Sequence, residues 1–156
     1  DGKWVPTFPN ARYLMGRKEF DHWRANAEDG QADVMADSVM PVYDAGLVDL
    51  VEQDAEICSE ITLITSPSHT PGHASVHIQS EGEAALITGD FLHHPVQFAH
   101  PEWNSAPDVD RPQAIQTRKT MYERFADGPT LIIGTHFATP TAGYIKRDGD
   151  AWRLDV

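Results

Sequence analysis

Up to about residue 46 the apolar positions recur at three- and four-residue spacing; from Leu47 onward they alternate or gather in short blocks. The first regime predicts helices. An extended stretch at 11–15 leads into a helix over 17–28, with Phe20, Trp23 and Ala27 on its core side and Asp29-Gly30 as its stop. A second helix spans 32–43, with Val34, Val39 and Val42 apolar. Pro41 interrupts it or marks its last turn, and Gly46 closes it. The second regime predicts strands at Val48–Val51, Ile61–Thr65, 74–79, 84–88 and 131–135. Segment 74–79 sets Ala74, Val76 and Ile78 against Ser75, His77 and Gln79, the alternation of a half-buried strand, whereas 84–88 and 131–135 read as deeply buried. One amphipathic helix, 113–126, places Ile115, Tyr122 and Phe125 on one face, and 144–146 with 152–154 make a terminal hairpin. Segment 66–72 is a loop. Segment 91–112, with four prolines and no period, is a long loop of the kind that often carries function.

The pattern is that of an α/β protein, and 156 residues suit a single domain with a real core. No apolar run approaches the roughly 18–20 residues that span a bilayer. No basic-then-apolar secretory pattern is present either, so a cytoplasmic location is the expectation. The net charge of −12, from 24 acidic against 12 basic residues, opposes a phosphate backbone and argues against nucleic-acid partners. Cys58 is the one cysteine, which excludes an intrachain disulfide and a cysteine-based zinc knuckle; its expected place is as a small buried apolar group.

Histidine changes the picture. The chain holds eight, and all but His22 fall between His69 and His136, most beside Gly, Pro or Asp. Three polar residues share one context. His73 opens a strand after Thr70-Pro71-Gly72, Asp90 follows strand 84–88 through Gly89, and His136 follows strand 131–135. Strand ends beside glycine are where α/β sheets present ligands. Two imidazoles and a carboxylate suit Zn²⁺, iron or Mn²⁺. Each residue alone has a bland alternative, as turn former, helix cap or strand edge.

Taken in order, Ser-His-Thr-Pro-Gly-His (68–73), Thr-Gly-Asp (88–90) and Gly-Thr-His-Phe (134–137) resemble the third, fourth and fifth metal motifs of the metallo-β-lactamase superfamily. Segment 1–23 is also similar to the stretch after the second motif in that family's hydrolase branch. The resemblance implies half of an αββα sandwich, a mixed sheet flanked by helices. It implies that His73 completes one metal site, Asp90 bridges two metals and His136 completes the other. Zinc is the metal implied, two ions per intact site, with iron or manganese as options. The reaction implied is hydrolysis of an ester, lactone or phosphotriester by a metal-bridging hydroxide, with Asp90 and His93 as catalytic residues.

The family's His-x-His-x-Asp-His motif occurs in no window of the chain. The expectation is therefore a truncated domain with an incomplete site, inactive alone and unable to hold a normal binuclear centre. It would pair with a missing N-terminal half or with a second copy, since a half-sandwich leaves a sheet face and an edge unburied. In the β-lactamases of the family a nearby Lys serves the substrate; Phe91-Leu92-His93-His94 has none, so β-lactam hydrolysis is disfavoured. Homoserine-lactone hydrolases often carry Tyr where this chain has His93, which is placed to donate to a leaving oxygen or to hold a carboxylate. His69 and His77 are expected to support the site or the structure, and His22 and His100 to lie at the surface. Phe91, Phe98, Trp103 and Phe137 either line an apolar pocket or cover the core. A thioesterase of the glyoxalase II kind, an iron-binding redox protein and a metal-free binding module are the alternatives within the fold.

Overall fold

A computed structural model of the chain describes residues 2–26 and 32–156, which fall into two compact units, Asp1–Glu52 and Gln53–Val156. The first unit is a single β-α-β crossover. Strand β1 (Tyr13–Gly16) leads into α1 (Arg17–Ala25); α2 (Ala32–Val34), a π-helical turn (Met35–Val39) and α3 (Met40–Asp44) then run together before β2 (Val48–Val51). β1 and β2 are parallel, with Tyr13 opposite Val48 and Gly16 opposite Val51, a pairing that requires an intervening crossover. The predicted stop at Asp29-Gly30, and Ala27 before it, lie outside the described residues.

Pro41 stands in the last turn of its helix, as expected. It carries no N–H, and just ahead of it the ladder widens so that the Met40 N–H reaches the Met35 carbonyl five residues back. The helix then continues to Asp44. Gly46, at φ +70°, donates to the Tyr43 carbonyl at 2.9 Å and turns the chain out. Phe20, Met35 and Val42 are buried in this unit, and the Phe20 ring stacks on Tyr43 at 4.7 Å.

The second unit is a seven-stranded mixed sheet in simple sequence order: β3 (Glu56–Cys58), β4 (Ile61–Thr65), β5 (Ala74–Ser80), β6 (Glu83–Ile87), β7 (Leu131–Ile133), β8 (Ala142–Asp148) and β9 (Ala151–Asp155). All neighbours are antiparallel except β6 and β7, which run parallel with Ile87 opposite Ile133. The chain between them holds a 3₁₀ turn (Gly89–Phe91) and two α-helices, α4 (Val96–Ala99) and α5 (Arg111–Phe125), so the predicted long loop contains one short α-helix. The Asp110 carboxylate caps α5 by accepting from the Gln113 N–H at 3.0 Å, and Pro112 sits in the first turn.

One face of the sheet carries Ile64, Leu86, Ile132, Ile145 and Trp152, all buried and clustered with Phe91, Leu92 and Phe98 and with Met121, Tyr122 and Phe125 of α5. The other face carries Ile61, Leu63, Val76, Ile78, Ala85, Ile87, Leu131 and Ile133, aligned by register, and each of these stays partly exposed. The inner face of α5 differs from the predicted one: Ala114, Thr117 and Arg118 are buried beside Met121, Tyr122 and Phe125, while Ile115 is partly exposed. Cys58 is exposed, contrary to expectation, because it lies on the edge strand β3 beside a register shift. Among the described residues no helix is long and apolar enough to cross a membrane.

Candidate metal centre

Parallel pairing of β6 and β7 brings their C-terminal ends to one edge of the sheet, and with them Asp90 and His136. The edge is pinned by short polar bonds. The Thr88 N–H donates to the Ile133 carbonyl at 3.0 Å, the Gly89 N–H to Thr135 Oγ1 at 3.0 Å, and the Thr135 N–H to Thr88 Oγ1 at 3.3 Å. His136 Nε2 then lies 2.7 Å from Asp90 Oδ1. Gly134 is required for this turn, because the Phe137 ring folds back over it and a Cβ there would sit 2.2 Å from ring carbons.

The loop 66–73 supplies the third side, and here the two histidines of Ser-His-Thr-Pro-Gly-His separate. His73 turns inward. Its Nδ1 lies 2.9 Å from the Ser66 carbonyl and 2.8 Å from Ser66 Oγ, and its Nε2 accepts the Asp90 N–H at 2.8 Å. Both ring nitrogens are thus engaged in fastening the loop to the turn after β6. The close approach depends on Gly89, whose φ is +58° and whose missing Cβ would lie 2.5 Å from His73 Nε2. The Ser66 hydroxyl also meets Ser75 Oγ at 2.9 Å, and Ser75 donates to the Thr88 carbonyl at 2.9 Å.

His69, expected in a supporting role, also faces the cluster. Its Nε2 is 3.9 Å from Asp90 Oδ2, and its Nδ1 is 3.6 Å from Asp108 Oδ1. His69, Asp90 and His93 each offer a ligand atom, and the three atoms lie within 4.8 Å of one another. The His93 ring stacks on His136 at 4.8 Å and tilts against His69 at 5.5 Å. The structure places Asp90, His93 and His136 of the predicted residues beside His69, and sets His73 Nε2 against the Asp90 N–H.

The donor chemistry fits a divalent cation. Three imidazoles and a carboxylate converge, and His93 Nδ1 is buried without a hydrogen-bond partner in this structure. Burial pushes the Asp90 carboxyl up, but the hydrogen bond from His136 and the charges of His136, His69 and His93 outweigh it and hold it below its ordinary value. Burial, then the charge of His136, holds the His93 imidazole below its ordinary value, which keeps it neutral near pH 7. Gln97 fixes the loop that carries it: the buried side-chain oxygen accepts the N–H groups of His93 (2.8 Å) and His94 (3.1 Å), and the amide nitrogen donates to the Trp103 carbonyl (2.8 Å).

The fold has counterparts among known proteins. The family profile of the metallo-beta-lactamase superfamily matches residues 2–136. The chain belongs to the metallo-β-lactamase superfamily. Among curated proteins there is no match. Among solved structures, it is similar to AbOPH, described as a hydrolase in the β-lactamase superfamily (23% identity, TM-score 0.84, covering 100% of this chain and 58% of that one). It is also similar to AidC, described as a dizinc quorum-quenching lactonase (22%, TM-score 0.77, 94% and 55%). A third likeness is to a probable metal-dependent hydrolase from Staphylococcus aureus (21%, TM-score 0.70, 94% and 53%). The chain spans a little over half the length of these superfamily members, and at such identities the likeness speaks to fold. Of the candidate pocket aromatics, Phe91, Phe98 and Phe137 are core residues, whereas Trp103 is exposed and stacks on His100 at 4.4 Å.

Proposed function

We propose that this chain carries part of the metal centre of a hydrolase acting on an ester, lactone or phosphotriester, with His69, Asp90, His93 and His136 as donors and His73 as their brace. The observation that carries the reading is the convergence of His69, Asp90 and His93 within 4.8 Å beside His136. A divalent cation held there would polarise the scissile bond and lower the pKa of water near it. The chain's own part is to present that ion with neutral imidazoles and one ionised carboxylate. The Asp90 backbone, tied to His73, and the Thr88–Thr135 bonds keep the carboxylate at the strand edge. His93, neutral near pH 7, is the group available to ligate, or to pass a proton by way of its protonated form. The partly exposed aliphatic face of the sheet is where the rest of a sandwich, from a missing half or a second copy, would pack.

Calorimetric titration with Zn²⁺ tests the donor assignment. One ion is expected per chain, with His69→Ala and Asp90→Ala weakening binding at least tenfold. His73→Gln should instead lower thermal stability and change affinity much less. Tight binding of two ions per chain, or loss of binding in His73→Gln without loss in His69→Ala, would overturn the assignment. Turnover of p-nitrophenyl esters, lactones and organophosphates by the zinc-loaded protein tests the reaction class; iron content with visible absorbance would instead favour a redox role.

A further inference from the structure

At the N-terminal ends of β6 and β7, opposite the ends that carry Asp90 and His136, the sheet and the last turn of α5 leave two adjoining hollows of about 610 and 550 Å³. His77, Gln79 and Arg124 line both of them. His77 stands opposite Thr62 of β4 and Leu86 of β6, on the face where Ile64, Leu86 and Ile132 are core residues. Its ring tilts against Phe125 at 6.1 Å. Among the described residues, neither the His77 ring nor the Gln79 amide makes a hydrogen bond, and Arg124 makes no ion pair. The two acids nearest Arg124 in sequence, Glu123 and Asp127, are both placed against Arg147. The Arg124 guanidinium lies over the Phe125 ring at 5.2 Å instead.

Burial, then the charge of Arg124, holds the His77 imidazole below its ordinary value. Asp54, Glu81 and Glu83 also line the hollows, all of them exposed, and none offsets Arg124 at His77. An imidazole, an amide and a guanidinium are thus grouped as donors that an anion would satisfy together. The three carboxylates of the rim repel a multiply charged anion, whereas a single carboxylate matches the fork of one guanidinium. Ala84, Phe125 and Pro129 add an apolar wall to the larger hollow. We propose that His77, Gln79 and Arg124 form the polar end of a second binding site, one that takes an aromatic or alkyl carboxylate at the end of the sheet away from the metal centre. The carboxylate accepts from the Arg124 guanidinium and from the His77 and Gln79 N–H groups, and its apolar part lies against Phe125. Since a bound anion favours the imidazolium form, carboxylate binding and proton uptake by His77 strengthen each other. The site stands independently of the function proposed above.

Benzoate is the probe, added to the full metal-free chain so that no ion elsewhere holds it, and the His77 ring signals in ¹H–¹³C spectra are the readout. Saturable shifts are expected, with the titration midpoint of His77 higher in benzoate than in the same concentration of chloride. Arg124→Met keeps the aliphatic stem and removes the charge. It should raise the midpoint in chloride, weaken benzoate binding about tenfold or more, and abolish the effect of benzoate on the midpoint. Inorganic phosphate, largely a dianion at pH 8, is expected to bind more weakly than benzoate. His77 signals that ignore benzoate would overturn the proposal, as would an Arg124→Met chain that binds it as tightly as the unmodified one. Phosphate binding as tight as that of benzoate would also overturn it, by showing a general anion patch. Should Arg124→Met fail to fold, Arg124→Gln makes the same comparison.

Discussion

Replacing Gly89 by alanine probes the contact on which the geometry of the centre depends. The residue sits at φ +58°, where a side chain costs about 1–2 kcal/mol. The added Cβ would lie 2.5 Å from His73 Nε2 and 3.0 Å from its Cε1, so the ring must move by roughly an ångström. That displacement gives up the 2.8 Å bond from the Asp90 N–H and loosens those to Ser66, a further cost of about 0.5–1.5 kcal/mol for each bond lost. The expected loss is about 2–4 kcal/mol, or roughly 5–12 °C in Tm for a chain of this length. Thermal scans by circular dichroism measure it, and a double-mutant cycle separates its parts. In a His73→Ala background the collision is gone and only the backbone cost remains, which leaves a coupling of about 1–2 kcal/mol. A loss below about 1 kcal/mol in Gly89→Ala, or the same loss in both backgrounds, would refute the claim that Gly89 is there to admit the His73 ring.

Three other perturbations probe different parts of the molecule. Gln97→Leu strands the His93 and His94 N–H groups and the Trp103 carbonyl, and should cost about 2–4 kcal/mol in urea unfolding; an unchanged midpoint would mean that water replaces the amide. His77 is held below its ordinary value of 6.5 by burial and then by Arg124, so the native state binds fewer protons there than the unfolded chain. Its contribution is present above about pH 6.5 and is lost as pH falls through the folded value. Tm measured from pH 8 to 4 should therefore fall less steeply in His77→Gln than in the unmodified chain. Leu86→Ala, at a fully buried position, should cost about 2–5 kcal/mol, and Ile78→Ala on the partly exposed face clearly less; equal losses in chemical denaturation would show the two faces to be equally packed.

Much of this architecture was legible because period and punctuation agreed. The strands at Val48–Val51 and Ile61–Thr65, the helix ending near Phe125 and the terminal hairpin all sit where alternation and Gly or Pro signals place them. What escaped has physical reasons. Strand β3 is three residues long with one partly buried side chain, too short to show a period. The inner face of α5 is hidden in the sequence because Thr117 and Arg118 read as surface residues until Pro67 and Asp108 come to meet them. Cys58 looked like core, but an edge strand left it exposed. At the candidate centre, motif order and places beside strand ends already set Asp90, His93 and His136 near one another. The approach of His69 to Asp90 and His93 could not be read from spacing, since it depends on how the loop 66–73 folds over the turn after β6.

The parallel join of β6 to β7 also bears on how such a centre comes into being. Strands β3 to β6 need only neighbouring segments to find one another, whereas Asp90 and His136 are 46 residues apart and meet only when the crossover through α5 closes. Closing that loop costs chain entropy before any contact across it is made, and non-local pairings of this kind slow folding. A nascent chain released before residue 131 would hold His69, Asp90 and His93 yet lack the strand that aligns β6. Anything that spanned Asp90 and His136 would clasp the longest excursion of the sheet and favour the closed crossover over the open one.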